Sequence, residues 1–153
     1  MNRPDPLFAA KVAKAAAYLR DDFPRIVGVE AVAHFKEGFQ NEGFTDRTLE
    51  KWQDVKRRTS PSVAQAARAS ASRKILTGET GDLGDSLDYN ENYNEVSIYS
   101  DLDYAQAHNE GTTTAGRGRS TTIPQRQFMG DSATLIQKID DILEQKLNTI
   151  FHP

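Results

Sequence analysis

Apolar residues recur at helical spacing near the start of the chain. They follow one another at intervals of four, three and four residues, which places them on one face of a helix. These positions are Phe8, Val12, Ala15 and Leu19. Asp5 can cap this helix, and Pro6 stands in the first turn, where proline is tolerated. Pro24 is expected to break the first helix and to begin a second one.

The same spacing predicts a second and a last helix. Val32, Phe35 and Phe39 are separated by three and four residues, and Gly43 is expected to end this second helix. Near the other end of the chain, apolar residues predict a long amphipathic helix over residues 132–151. They are Leu135, Ile136, Ile139, Ile142, Leu143, Leu147 and Ile150.

Between the helices the pattern changes to that of strands. Residues 87–89 and 96–98 each alternate apolar and polar side chains, and a polar stretch at residues 90–94 separates them. This arrangement predicts a β-hairpin with a five-residue loop. The repeated Thr-Gly pairs of residues 77–81 predict a tight turn that leads into the first strand.

Two segments show no clear period. Residues 63–74 are rich in alanine and could be helical, but they are weakly apolar, so this segment is expected to be mobile or to order only against a neighbour. Residues 111–122 are mostly Gly, Thr and Ser with two arginines, which predicts a flexible loop.

The order of these elements predicts an α+β fold. It consists of two N-terminal helices, a small antiparallel sheet with a hairpin, and a long C-terminal amphipathic helix. The 153 residues are expected to form a single domain, in which residues 1–22 could serve as an N-terminal arm.

Composition excludes several classes of protein. The chain has no cysteine, so it has no disulfide framework, thiolate metal site or thiol nucleophile, and a reducing cytoplasm is its simplest origin. No apolar run approaches the roughly 18 residues of a membrane span. The first five residues lack the apolar core of a secretory signal. A membrane partner is therefore not expected.

Charge is strongly segregated along the chain, although the net charge is only -3. Residues 55–74 contain six bases and no acid, whereas residues 75–116 contain nine acids and no base. These zones are either solvated faces or complementary surfaces that meet between copies of the protein. Nucleic acid is expected to make at most incidental contact, because an acidic chain repels phosphates.

One group of residues could in principle carry chemistry. Asp101 and Asp103, with His108 and Glu110 nearby, offer carboxylates and an imidazole for a hard metal or for acid–base catalysis. Their spacing matches no known ligand set, including that of calcium loops. The sequence also lacks a serine nucleophile elbow and a phosphate-binding loop. We therefore assign no catalytic, metal or cofactor residue and expect no cofactor.

Four spaced motifs resemble the phage virion morphogenesis family, which includes the tail-completion proteins of Mu-like and related phages. The first motif is residues 39–44 followed by Trp52, an aromatic-glycine-aromatic stretch with a downstream tryptophan. The second is residues 75–87, the third residues 104–111 and the fourth residues 123–130. Their order and spacing make the resemblance specific, although Gln127 stands where the family often has a second proline.

The resemblance transfers to particular positions of this chain. They are Trp52, Thr77, Gly78, Gly81, Leu83, Tyr104, Ala105, His108, Gly111, Pro124, Arg126 and Phe128. Their roles are open between maintaining the fold and making contacts in an assembly. Phe128 is expected to fill the core beneath the last helix, and Pro124 to fix the backbone beside an edge strand.

The function implied by the resemblance is structural. It implies a phage morphogenesis domain without enzymatic activity that completes the tail, or joins tail to head, as part of an oligomeric ring. Its partners would be further copies and tail-tube, tail-terminator or neck proteins, first in the host cytoplasm and then in the virion. The alternatives are a head–tail connector lining the DNA channel, a small metal-dependent hydrolase using the 101–110 group, and an adaptor for one host protein.

Overall fold

A computed structural model describes residues 5–59, 62 and 72–153. The N-terminal part is helical, with α1 over Pro6–Ala17, a π-helical turn over Tyr18–Asp22 and α2 over Phe23–Asn41. The other long helix lies at the opposite end of the sequence. The elements between them are β1 Gly43–Thr45, β2 Leu49–Lys51, α3 Lys56–Thr59, α4 Asp82–Asp85, β3 Leu87–Asn92, β4 Glu95–Ser100, α5 Ala105–Glu110, β5 Thr112–Ala115, β6 Thr121–Ile123 and α6 Ala133–Phe151.

The break that was predicted at Pro24 does not occur. The second part of the prediction is confirmed, because Pro24 falls in the first turn of α2, where a missing N–H is not needed. The backbone N–H of Phe23 donates to the carbonyl of Tyr18, five residues back, so α1 continues into α2 through one wide turn. The predicted cap of α1 is confirmed, because Asp5 Oδ1 accepts from the N–H of Leu7 at 3.0 Å.

The end of α2 also differs from the prediction. The helix stops at Asn41, and Glu42 rather than Gly43 adopts the left-handed conformation, with φ 52°. Gly43 begins β1 instead, because a Cβ at this position would collide with the carbonyl oxygen of Glu50 on β2. The two strands are only three residues long and scarcely alternate, which explains why the sequence did not predict them.

The predicted hairpin is present, but its turn is shorter. β3 and β4 pair antiparallel from Leu87–Ser100 to Asn92–Glu95, which leaves a two-residue turn at Tyr93 and Asn94. Polar residues extend both strands, because strand pairing satisfies backbone groups whatever the side chains are. The predicted loop at residues 111–122 is wrong in its secondary structure, since β5 and β6 form a third hairpin there. The described residues thus contain three separate two-stranded sheets instead of one.

An aromatic cluster forms the centre of the core. The ring of Phe39 on α2 lies 5.5 Å from that of Trp52 and 5.4 Å from that of Phe128. Phe128 is 1% exposed, which confirms its predicted place. Leu83, Leu87, Ala105 and Leu135 are buried in the same cluster. The core therefore lies between α2, α6 and the segments that carry the motifs.

The last helix matches its prediction, and the first helix does not. Ser132 caps α6 by accepting from the N–H of Leu135. On α1 and the π-helical turn after it, by contrast, Phe8 is 55% exposed, Val12 44% and Leu19 42%, so most of the apolar face that the spacing predicted faces solvent. α1 contacts the end of α6, where Lys11 donates to the Phe151 carbonyl at 2.8 Å.

Most of the 63–74 segment, which was predicted to be mobile or to order only against a neighbour, lies outside the described residues. The described residues before it include the single helical turn of α3. None of the helices described is long and apolar enough to span a membrane.

Candidate functional site

The four motifs contact one another in the folded chain. Trp52 of the first motif donates from Nε1 to the Gln127 carbonyl of the fourth at 2.6 Å. Asn109 of the third motif accepts from the N–H groups of Phe128 and Met129 at 2.8 and 2.9 Å. Phe39 packs against Gly84 of the second motif. The motifs therefore form one junction around the core, and parts of three of them line a cavity of about 410 Å³.

One wall of this cavity comes from the second motif. The turn is closed by the N–H of Gly81, which donates to the Thr77 carbonyl at 2.7 Å. Gly78 and Gly81 have φ values of 56° and 82°, which favour glycine. The turn leads into α4 and only then into β3, so the prediction of a direct turn into the strand is corrected. Leu83 on α4 is buried and forms part of the cavity floor.

The opposite wall comes from α5. Tyr104 stands at the N-cap of this helix with 45% of its surface exposed, and its ring is nearly perpendicular to the imidazole of His108. Burial lowers the pKa of His108, and the nearby guanidinium of Arg126 lowers it further. His108 Nδ1 is buried without a hydrogen-bond partner among the described residues. The imidazole is therefore neutral at pH 7.

Arg126 reaches the cavity from the fourth motif. It is only 7% exposed, and it donates from Nε to the Gln53 carbonyl at 3.0 Å and from Nη2 to the Asp54 carbonyl at 3.4 Å. Burial and repulsion by Arg57 lower its pKa. Within the described ranges no carboxylate lies close enough to form an ion pair with it. Arg126 is thus a buried cation held by backbone carbonyls.

Backbone geometry brings the third and fourth motifs together. The N–H of Arg126 donates to the His108 carbonyl at 2.8 Å. Gly111 has a φ of 75°, and a Cβ there would lie 2.8 Å from the backbone nitrogen of Gln125. Pro124 follows β6 directly, as expected for a residue beside an edge strand. Gly111 therefore allows the backbones of the third and fourth motifs to approach closely.

Two further arginines, Arg57 and Arg73 of the predicted basic run, lie at the rim of the cavity. Arg57 donates to the carbonyls of Arg73 and Lys74 at 2.9 and 3.1 Å. Arg73 forms a loose ion pair with Glu79 at 3.6 Å, and the Glu79 side chain is 84% exposed. The run of bases in the sequence was a signal for this cluster, but only the fold shows which of them face the cavity.

Among the described residues, the acidic zone of the sequence remains almost without ion pairs, whereas part of the basic zone is paired. Arg58 pairs with Glu42 at 2.6 Å and Arg73 with Glu79, so part of the basic zone is used within the chain. Among the described residues, the other eight acids of the 79–110 region form no ion pair. They are Asp82, Asp85, Asp88, Glu91, Glu95, Asp101, Asp103 and Glu110.

The proposed hydrolase residues do not form one site. Asp101, Asp103 and Glu110 line a depression near Met129, whereas His108 lines the arginine-rimmed cavity. Asp101 and Asp103 lie in a turn after β4 and not on a strand face. No group of three or more potential metal-binding side chains occurs in the described part of the chain.

The remaining motif residues lie either in the core or around the cavity. Trp52 and Ala105 are buried in the core with Phe128, which leaves Thr77, Gly78, Leu83, Tyr104, His108 and Arg126 around the cavity. Sequence reasoning missed Asn109, which joins two motifs, although it stands inside the third motif. It also found no role for His34, whose Nε2 lies 3.0 Å from both the Thr45 carbonyl and the Ser132 hydroxyl.

The fold and the cavity define a small α+β domain whose motif residues pack in the core or line the cavity. Residues 45–148 match the phage virion morphogenesis family. Because the match covers more than half of the chain, the protein belongs to this family. Its role is therefore a structural one in virion assembly. Neither the curated proteins nor the solved structures contain a match to the chain.

Proposed function

We propose that the protein completes the phage tail or joins it to the head, as one of several copies in a ring, without catalysing a reaction. Membership of the virion morphogenesis family supports a part in particle assembly. The proposed ring would contact tail-tube, tail-terminator or neck proteins.

An exposed apolar face on α1 and the π-helical turn after it, here called the α1 face, is the observation that carries the proposal. Leu7, Phe8, Val12 and Leu19 are 67%, 55%, 44% and 42% exposed. Phe8, Val12 and Leu19 lie on one side of the helix, and Phe8 is also next to Phe151 at the end of α6. Monomeric proteins seldom leave large contiguous apolar patches in water, so this face is suited to a protein contact.

The eight acids of the 79–110 region that form no ion pair among the described residues are here called the acidic face. They favour a head-to-tail arrangement of copies. A two-fold contact that included the 79–110 region would bring unpaired carboxylates of two copies together, which is unfavourable. A head-to-tail contact places different surfaces against each other and closes into a ring when the rotation permits. We expect copies of the free protein to associate weakly with one another. Binding to the phage partner would make this association stable.

Deletion of the gene from the phage or prophage that encodes it tests the role in the particle. We expect electron microscopy of the lysate to show DNA-filled heads and separate tails, and a plasmid copy to restore joined particles. Heads that have lost their DNA would instead favour a connector in the DNA channel. Normal infectious particles would overturn the proposal.

Sedimentation velocity at increasing protein concentration tests self-association. We expect the double variant F8S/V12S to weaken association, with V29S as a control because Val29 is a valine on α2 that is at least as exposed as Val12. Raised salt should weaken only the part of the association that exposed charges supply, since screening acts over about 8–10 Å. Association that survives F8S/V12S unchanged would exclude the α1 face as the contact.

A further inference from the structure

We propose that the arginine-rimmed cavity of one copy receives the tip of the β3–β4 hairpin of the next copy. Tyr93 would enter over the apolar floor, and Glu91 and Glu95 would meet Arg57 and Arg73 at the rim. This inference rests on the proposed ring and specifies one contact between its neighbouring copies.

The hairpin tip has the features of a group that inserts into a partner. Tyr93 is 79% exposed, the largest exposure among the large apolar side chains of the described residues. A two-residue turn does not require an aromatic ring, so packing within the chain does not account for this residue. Glu91 and Glu95 flank it, and both are exposed and lack an ion pair within the described ranges.

The cavity complements this tip in shape and polarity. Its floor includes Val55, Ile75 and Leu83, and its volume of about 410 Å³ accommodates an aromatic side chain. Tyrosine is often a dominant residue of protein interfaces, because its ring is large and rigid and its hydroxyl can still bond to polar groups. Guanidinium groups at the rim also interact favourably with an aromatic face.

Charge points to the same pairing. The residues that line the cavity include three arginines, Arg57, Arg73 and Arg126, but only two acids, Glu79 and Asp82. The pair between Arg73 and the 84% exposed Glu79 is long, at 3.6 Å, so Arg73 can turn to another carboxylate at little cost. The two glutamates of the tip would compensate the excess positive charge around the cavity.

The tip and the cavity lie at opposite ends of α2, so they meet only between copies. Residues 94–96 border a groove with Phe23 and Val27 at the beginning of α2. Arg73 and Thr77 lie beside Phe39 and Gln40 at its end. A helix of 19 residues is about 28 Å long at about 1.5 Å per residue. Two different surfaces on opposite sides of one copy are the requirement for a head-to-tail ring.

Paired charge reversal tests the contact. The tip variant E91R/E95R and the rim variant R57E/R73E should each associate about tenfold or more weakly than the wild type in sedimentation velocity. An equimolar mixture should recover association, because each variant retains one native surface and the reversed surfaces complement each other. Circular dichroism and thermal unfolding establish that both variants are folded. If R57E/R73E does not fold, Y93S takes its place, since Tyr93 is exposed in a turn.

Cross-linking provides a direct measurement, because the chain has no cysteine of its own. A tagged Y93C copy mixed with a T80C copy should form a disulfide-linked heterodimer under oxidation, since Thr80 lines the cavity. T113C, an exposed position on β5, replaces T80C in the control and should yield far less heterodimer. Equal yields in both mixtures would overturn the inference.

The outcomes separate this inference from the proposed function. If the wild type associates and neither the tip variants nor Y93S weakens it, the inference is wrong and the ring remains with a different contact. A protein that stays monomeric at every concentration also overturns the inference. In that case, electron microscopy of the particles made after gene deletion still tests the proposed function.

Discussion

The carboxylate of Glu42 joins parts of the chain that are distant in sequence. It accepts from Arg58 at 2.6 and 3.1 Å and from the backbone N–H of Ile75 at 2.7 Å. Arg58 in turn donates to the Arg73 carbonyl at 2.8 Å. One side chain at the end of α2 thus holds both flanks of the basic segment and, through Ile75, the floor of the cavity.

The variant E42Q should lower stability in a pH-dependent way. The hydrogen bonds from Arg58 hold the pKa of Glu42 below its ordinary value. A depressed folded-state pKa contributes stability above the unfolded value of about 4.3 and loses it as the pH falls through the folded value. We expect a loss of about 1–3 kcal/mol in urea unfolding at pH 7, which shrinks below about pH 4. Equal losses at both pH values, or an equal loss in the exposed control E37Q, would contradict this account.

Ser132 has a similar effect at the start of α6. Its hydroxyl accepts from the N–H of Leu135, donates to the Thr45 carbonyl at 2.7 Å and contacts His34, all at 2% exposure. S132A should therefore lower the free energy of unfolding by about 1–2 kcal/mol, as expected for a lost helix cap. S120A at an exposed turn is the control. A thermal midpoint in S132A equal to that of S120A would show that the cap contributes nothing.

At the scale of elements, α2 is the support on which the β3–β4 hairpin rests. Gly28 on α2 lies against the ring of Tyr89, and a Cβ at position 28 would overlap that ring. The small residue lets helix and hairpin approach closely. The hairpin tip is thereby presented at the end of α2 that is distant from the cavity.

The variant G28A tests this close contact. Alanine favours a helix over glycine by about 1 kcal/mol, but overpacking costs about 1–3 kcal/mol, so we expect net destabilisation. Shrinking the ring with Y89A should make the G28A change neutral or favourable, since coupled neighbours are not additive. Chemical unfolding of the four proteins in the cycle is the measurement. If G28A stabilises the otherwise wild-type protein, the ring of Tyr89 moves aside without a measurable loss of stability.

The β5–β6 hairpin differs from the β3–β4 hairpin in having few apolar side chains to bury. Its turn contains Arg117 and Arg119, both exposed, whereas Arg57 and Arg58 are half-buried. We therefore expect limited trypsin digestion to cut after Arg117 or Arg119 before Arg57 and Arg58, because proteases cut local openings first. Mass spectrometry of the first fragments decides this. Early cleavage at Arg57 or Arg58 with an intact 111–122 segment would show that this hairpin is rigid.

At the scale of the whole molecule, the four motifs meet around the core, while the charged residues and the apolar α1 face lie on the surface. The cavity, the acidic face and the α1 face all reach the surface of a domain of 153 residues. Such an arrangement suits a component that is held by several neighbours at once. Its contacts would then supply stability that the free protein lacks.

We also expect the isolated protein to need no metal. The carboxylates of Asp101, Asp103 and Glu110 line a different depression from His108, so these four side chains cannot share one ion. Isothermal titration with manganese or zinc should show no stoichiometric site. A site with micromolar affinity that disappears in H108A would contradict this expectation, and H152A at the exposed end of the chain serves as the control.

Local features of the sequence determined the last helix, the cap at Asp5 and the β3–β4 hairpin. Each depends on residues within a few turns of one another, where spacing and capping groups decide the conformation. The motif residues were predicted because their order along the chain is itself the signal. The core position of Phe128 is confirmed, and the structure decides that Trp52, whose role was open, is also in the core.

Only the tertiary structure decided which faces are buried and which charges are paired. A helical period shows that Phe8 and Val12 share a face, but whether another element covers that face depends on the whole fold. The spacing of Arg58 and Glu42 in sequence gives no sign of their ion pair. The cavity likewise combines side chains from the 55–126 region whose proximity depends on α2 and the core. Contacts between distant segments arise from the packing of all elements together, so no local pattern contains them.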